Sequence, residues 1–334
     1  MSTVRTQVAK LSHKDVRQRR RAVRHLFEEN DPLALSGFIP LLADADPWFR
    51  DKAMLAVRTW VRSDDEEVVQ SLSESETAAH RALAAEVAPR LRNGEVAGEV
   101  LIRLCADPET SVMHAAWTAR LQKPAPEVVD QALDCADHIV RRRAAEVATG
   151  AELVRALGDA HSRVRQAALA VAGSNLDDAA VLAALDDCVA AGDARAMELR
   201  LPSMIATDLA GLVPWVAAPT PRMRKALVAA LADVAWWECE PLLAALGSSE
   251  DILLLPRLLR SRQADGAKAL RRTLLGEETL DNLAKARLLE HMVGRPLEAE
   301  DIALAEGLAA SDDALLSQSA RMLLADYAQR EGSA

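Results

Sequence analysis

The residues of this chain best equipped for chemistry are carboxylates and guanidiniums at a fixed spacing. Asp15/Arg19, Asp46/Arg50 and Asp137/Arg141 each set an Asp four residues ahead of an Arg. An Asp at a helix start can accept the free N–H groups there, and an Arg one turn later can reach an acid on a neighbouring element. A single active site has no use for repeated copies of such a pair, whereas a structural ladder needs them at every interface. Arginines also crowd together. Arg17, Arg20, Arg21 and Arg24 share one stretch, Arg141, Arg142 and Arg143 form a second group, and Arg163 and Arg165 follow. Each group reads either as solvated surface or as a seat for an acidic partner, a protein or a phosphate backbone.

Other chemistries lack their spacing. The seven histidines include no H-x-x-x-H or H-E-x-x-H, and Cys105, Cys135, Cys188 and Cys239 lie far apart with no C-x-x-C. No metal site and no cofactor are therefore expected. Phosphate-loop, dinucleotide and nucleophile-elbow motifs do not occur either, so the expectation is a protein without a catalytic centre. Trp236 and Trp237 are adjacent, and neighbouring helical residues point about 100° apart. One ring is expected between helices; the other, taken as Trp237, is a candidate contact for a partner.

These residues sit on a repeating frame. Residues 8–26 align with residues 39–57 at an offset of 31, placing Val8 on Ile39, Leu11 on Leu42, Asp15 on Asp46, Arg19 on Arg50, Ala22 on Ala53 and Leu26 on Val57. Around the anchor Arg50, Ala53, Met54 and Val57 follow at the spacing of one helical face, and Asp44-Ala-Asp46-Pro47 breaks the chain between two helices. Anchors recur at 19, 50, 81, 113, 141, 165, about 195, 224, 254, 285 and 316. The spacing predicts an all-α, alpha-alpha superhelix of about 10–11 antiparallel helix pairs. It occupies residues 1–327, with stronger repeats over 5–175 and degenerate ones over 176–327, and ends in a flexible tail over 328–334. Half the residues are apolar but only 3% aromatic. A core of Ala and Leu suits closely packed helices rather than strands.

The net charge is −10 and unevenly placed. Residues 1–60 carry 11 Lys and Arg against 7 Asp and Glu, while residues 171–334 carry 16 against 25. An acidic chain has no general attraction to nucleic acid. The start of the sequence has no apolar signal region, and no 18-residue apolar run occurs. A soluble, cytoplasmic monomer with no membrane association is expected.

The run Leu42-Ala-Asp44-Ala-Asp46-Pro47-Trp48-Phe49-Arg50-Asp51-Lys52-Ala53 resembles the HEAT-repeat motif. The resemblance implies a right-handed superhelix with a convex and a concave layer, in a family made up mostly of adaptors, scaffolds and regulatory subunits. It makes a scaffold binding a protein partner the leading expectation. A nucleic-acid-binding protein resembling the DNA-alkylation-repair enzymes, using the arginine clusters, is the alternative, and a HEAT-type lyase stands third. The iron-dependent hydroxylases of the family carry repeated His-Glu dipeptides, and this chain has none.

Overall fold

The computed structural model of the protein describes residues 4–216 and 220–331. Among them every regular element is a helix, and the helices pack as eleven successive pairs. The chain separates into two compact units, Met1–Val171 and Ala172–Ala334.

The first unit holds six pairs. Their second helices are Val16–Glu29, Pro47–Trp60, Ala78–Val87, Thr110–Arg120, His138–Ala145 and Ser162–Ala172. The middle four pack on one another in sequence, and the first helices Glu66–Ser73, Gly94–Cys105, Pro126–Leu133 and Gly150–Leu157 form the opposite layer. Helix starts follow from the turn residues. Asp15, Asp46 and Asp137 are each extended at the N-cap and accept N–H groups of the helix they open. Pro47, with no N–H to satisfy, takes the first helical position. Asn30 closes the helix Val16–Glu29 in the left-handed conformation, φ 51°, and its side chain accepts the Trp60 indole N–H at 2.8 Å.

The apolar stripe is fully buried: Ala22, Leu26, Ala53, Val57, Leu83, Ala84, Val112 and Ala116 have no more than trace exposure. Ala at +3 from the anchor lets the backbones approach closely, so a single added charge there has no room and no partner. Phe27, Phe38 and Trp60 pack into one aromatic cluster, with ring centroids 4.7–5.5 Å apart.

The second unit holds five pairs, whose second helices are Ala194–Thr207, Pro221–Ala230, Leu254–Leu259, Asn282–Glu290 and Ala314–Glu331. Its motif is weaker but its caps persist: Asp193 accepts from Arg195 and Ala196, and Asp281 from Leu283. Residues 328–331, expected in a tail, continue the last helix. Arg330 ties that end down by pairing with Asp326 and donating to the Arg295 carbonyl at 3.3 Å. Residues 332–334, the rest of the expected tail, lie outside the described residues.

Candidate functional site

In the first unit the turn inside five of the six pairs rests on a recurring bond. The residue six places ahead of the anchor accepts the backbone N–H two residues on. His13 Nδ1 accepts from Asp15 (2.9 Å), Asp44 from Asp46 (2.9 Å), Ser75 Oγ from Thr77 (3.2 Å), Asp107 from Glu109 (2.9 Å) and Asp159 from His161 (2.7 Å). The anchor arginine clamps the same turn. Its Nη1 donates to the two carbonyls five and six residues back: Asp44 and Ala45 for Arg50, Ser75 and Glu76 for Arg81, Cys135 and Ala136 for Arg141, Asp159 and Ala160 for Arg165, all at 2.7–3.0 Å. These carbonyls follow the end of the preceding helix and have no partner within it.

The remaining edge of the guanidinium crosses to the next repeat. Arg19 pairs with Asp44. Arg81 grips Asp107 through Nε and Nη2 at 2.7 and 2.9 Å, and Arg141 grips Asp159 at 2.7 and 3.3 Å. Asp107 is held well below the usual carboxylate range by Arg81, against the opposing pull of burial. Burial would raise Asp44 and Asp159, but backbone N–H groups and their arginines outweigh it and lower both. Arg50 breaks the series. In register it faces Ser75 rather than an acid, and among the described residues its side chain bonds only to the Asp44 and Ala45 carbonyls.

The capping aspartates carry a second tie. Arg20 reaches Asp46 at 3.2 Å, and His114 Nε2 reaches Asp137 at 3.1 Å. One turn further along the ridge, the rings of His138 and His161 stack with centroids 4.0 Å apart.

The arginine clusters divide. Arg141, Arg142 and Arg143 are not three free cations: Arg141 is in the ladder, Arg142 pairs with Glu146 at 3.4 Å, and Arg143 donates to the His114 carbonyl at 2.9 Å and to Thr118 Oγ1. Arg163 is exposed, while Arg165 Nη1 clamps the two carbonyls of its turn. Arg17, Arg21 and Arg24 are different. They lie at i, i+4 and i+7 on the helix Val16–Glu29, are exposed, and have no side-chain partner among the described residues. Arg20 beside them sits over the Trp48 ring, 5.3 Å from its centroid. Between this stripe and the fifth pair the second helices carry exposed Asp51 and Leu55, the ion pair Arg58–Glu86 and exposed Thr118. The two clusters are four helix spacings apart, about 40 Å at the usual interaxial distance. They do not form one basic track.

Trp236 is buried and Trp237 half-buried in the second unit, their rings meeting edge to face at 5.7 Å. Trp237 packs over the backbone at Gly266, where an added Cβ would stand 2.7 Å from the indole nitrogen. Cys105 is burial-shielded, its thiol pushed up to about 11 against the lowering influence of Arg120, so it is un-ionised at neutral pH. No group of three or more metal-ligating side chains occurs among the described residues. No helix among them is long and apolar enough to cross a membrane.

Fold and site together define an all-α protein built of repeated helix pairs. No protein-family model and no curated protein matches the chain. Three solved structures, each described as the crystal structure of an engineered protein, align along its length. The first is 18% identical over 98% of this chain and 99% of that one, with a TM-score of 0.32. The others are 17% identical over 98% of this chain and 96% and 98% of theirs, with TM-scores of 0.18 and 0.16. At such scores the likeness carries no argument, and the class rests on the helix pairs themselves.

Sequence register alone places the ladder's arginines and caps. The position six places ahead of the anchor is legible as an Asp only in some repeats, because its identity varies: His13, Asp44, Ser75, Asp107, Cys135 and Asp159 share a column but not a residue type. Aligning that column against the preceding anchor finds each rung.

Proposed function

We propose that the chain is a HEAT-type array serving as a non-catalytic cytoplasmic scaffold or regulatory subunit that holds a protein partner on the first unit. The observation that carries this reading is the Arg17, Arg21, Arg24 stripe. Solubility calls only for mixed charge, whereas three exposed guanidiniums of one sign on one face, without intramolecular partners, suit recognition of an acidic surface. The lack of a continuous basic track to Arg163, together with a net charge of −10, weighs against a nucleic-acid groove.

The test compares full-length protein with Arg17→Glu/Arg21→Glu/Arg24→Glu. The wild type should retain a defined partner from native extract that the triple variant loses at unchanged helical signal, with moderate salt sensitivity. Random-sequence duplex DNA should bind no tighter than about micromolar at physiological salt. Tight, steeply salt-dependent duplex binding lost in the triple variant would replace the scaffold reading with the nucleic-acid one.

A further inference from the structure

The break in the ladder at Arg50 opens a groove whose chemistry is specific. Two equivalent grooves lie one repeat apart on the turn edge of the first unit. One is lined by Val8, Leu11, His13, Arg19, Pro40 and Asp44 and has a volume of about 460 Å³. Its counterpart is lined at the same register positions by Ile39, Leu42, Asp44, Arg50, Ser71 and Ser75, and measures about 720 Å³. The Arg19–Asp44 pair bridges the smaller groove; across the larger one Arg50 meets no acid.

The column pairing shows that this is a vacancy in a working device. Every other anchor arginine with an acid six places ahead of the next anchor pairs with it: Arg19 with Asp44, Arg81 with Asp107, Arg141 with Asp159. Where the anchor is Met113, the facing column residue is Cys135, so no charge is left over. Among the anchor arginines whose facing column also lies in the first unit, Arg50, opposite Ser75, is the one with no acid in that column. Arg50 Nη1 is fixed by the two carbonyls of its turn, which orients the guanidinium before any ligand arrives, and its Nε and Nη2 remain available. The acids at the groove do not fill the place. Asp44 is taken by Arg19 and the Asp46 N–H, and the Glu76 side chain is exposed while its carbonyl is held by Arg81. Beside the open guanidinium run the apolar side chains of Ile39, Leu42, Val68 and Leu72.

We propose that this groove takes the carboxylate of an Asp or Glu in a partner peptide, seated on the open edge of Arg50 as Asp107 is seated on Arg81, with an apolar neighbour of that acid on the Ile39–Leu72 wall. It rests on the reading of the chain as a protein-binding scaffold. The ligand is a carboxylate because Nε and Nη2 form the planar two-pronged donor that already binds carboxylates at two other rungs. The sequence completes the rung elsewhere with its own Asp; here a second chain supplies it.

The experiment titrates full-length protein with the blocked tripeptide acetyl-Leu-Asp-Leu-amide, the same peptide with Asn, and inorganic phosphate. It follows the arginine Nε–Hε signals by NMR, with that of Arg50 assigned from Arg50→Lys. The Asp peptide should move the Arg50 signal saturably, with about tenfold higher affinity than the Asn peptide, and leave that of Arg81 unmoved. Ser75→Asp, which keeps the Thr77 N–H acceptor and adds the missing carboxylate, should remain folded and lose the response. Equal effects of the Asp and Asn peptides, no shift at Arg50, or an undiminished shift in Ser75→Asp would overturn the proposal. Tighter binding of phosphate than of the Asp peptide would overturn the choice of carboxylate. The titration needs no native partner, so its failure removes this site while partner capture separately judges the scaffold reading.

Discussion

In the unit Met1–Val171 the repeats are tied by Arg–Asp rungs at the turns inside helix pairs; in Ala172–Ala334 side-chain ties such as Arg224–Asp251 and Arg272–Asp301 are joined by ties at the far end of the second helices. The first kind of tie joins side chain to side chain, as in Arg81–Asp107. The second joins a cation to an orphan carbonyl one repeat back. Arg262 donates to Leu231 at 2.5 Å, Arg330 to Arg295 at 3.3 Å, and Arg295 to Arg260. Cations at helix C-termini satisfy free carbonyls and oppose the helix dipole. Repeats held by the second kind of tie are free to drift in sequence. A carbonyl is present whatever the residue, so the second tie constrains only its donor, and its sequence separations of 31, 35 and 35 follow no single register. An Asp–Arg rung constrains both columns and preserves the motif. The cost appears as burial: Arg271, 4% exposed, donates to the Leu259 and Arg262 carbonyls, and burial followed by the nearby Arg295 charge lowers its basicity.

Ala53→Asp should have the largest effect, about 3–5 kcal/mol lost in urea unfolding, because it buries an unpaired carboxylate in a close helix contact. Arg81→Met comes next, with a smaller but clear fall in the urea midpoint, since it strands Asp107 (6% side-chain exposure) and two turn carbonyls. Arg257→Met in the second unit, at 49% side-chain exposure, should stay within about 0.5 kcal/mol. Equal losses from the two arginines would erase the distinction drawn here.

Acid should act through the rungs of the first unit and, in the second, through Glu298, Asp301 and Asp313, whose proton affinities are lowered as well. Asp44, Asp107 and Asp159 have folded-state affinities for protons below their ordinary values. Their stabilisation is therefore fully present above the unfolded-state value near 4 and is lost as pH falls below it through the lower folded-state values. The urea midpoint should drop over that range, and Asp107→Asn should flatten the drop while lowering the midpoint at neutral pH. A midpoint that rose on acidification below pH 4 would contradict the sign. The smallest effect belongs to Arg21→Glu, within about 0.5 kcal/mol on stability because the side chain is exposed.

Much of this frame was legible in the residues. The Asp caps and the Ala at +3 follow from local rules of helix start and close packing and are visible in a single repeat, and the 31-residue offset appears once two repeats are set side by side. What escaped depended on relations between repeats or on context. Arg141, Arg142 and Arg143 look like a patch in one dimension, but helix geometry sends them to three different partners. Trp237 reads as a surface anchor until Gly266 brings a backbone beneath its ring. The cation-to-carbonyl ties of the second unit leave no acceptor signature, because the acceptor is main chain.

Within the first unit the anchor arginines Arg19, Arg81 and Arg141 each reach the sixth residue ahead of the next anchor, and Arg50, set in the same register, finds Ser75 there instead of an acid. A double-mutant cycle on Arg50→Met and Ser75→Asp, read by urea unfolding at neutral pH, tests this register most directly. Ser75→Asp should stabilise the protein by about 0.5–1 kcal/mol when Arg50 is present and give no gain, or a loss, when it is Met. The same effect of Ser75→Asp in both backgrounds would mean that Arg50 does not face position 75, and the open rung would be an accident of sequence rather than a site.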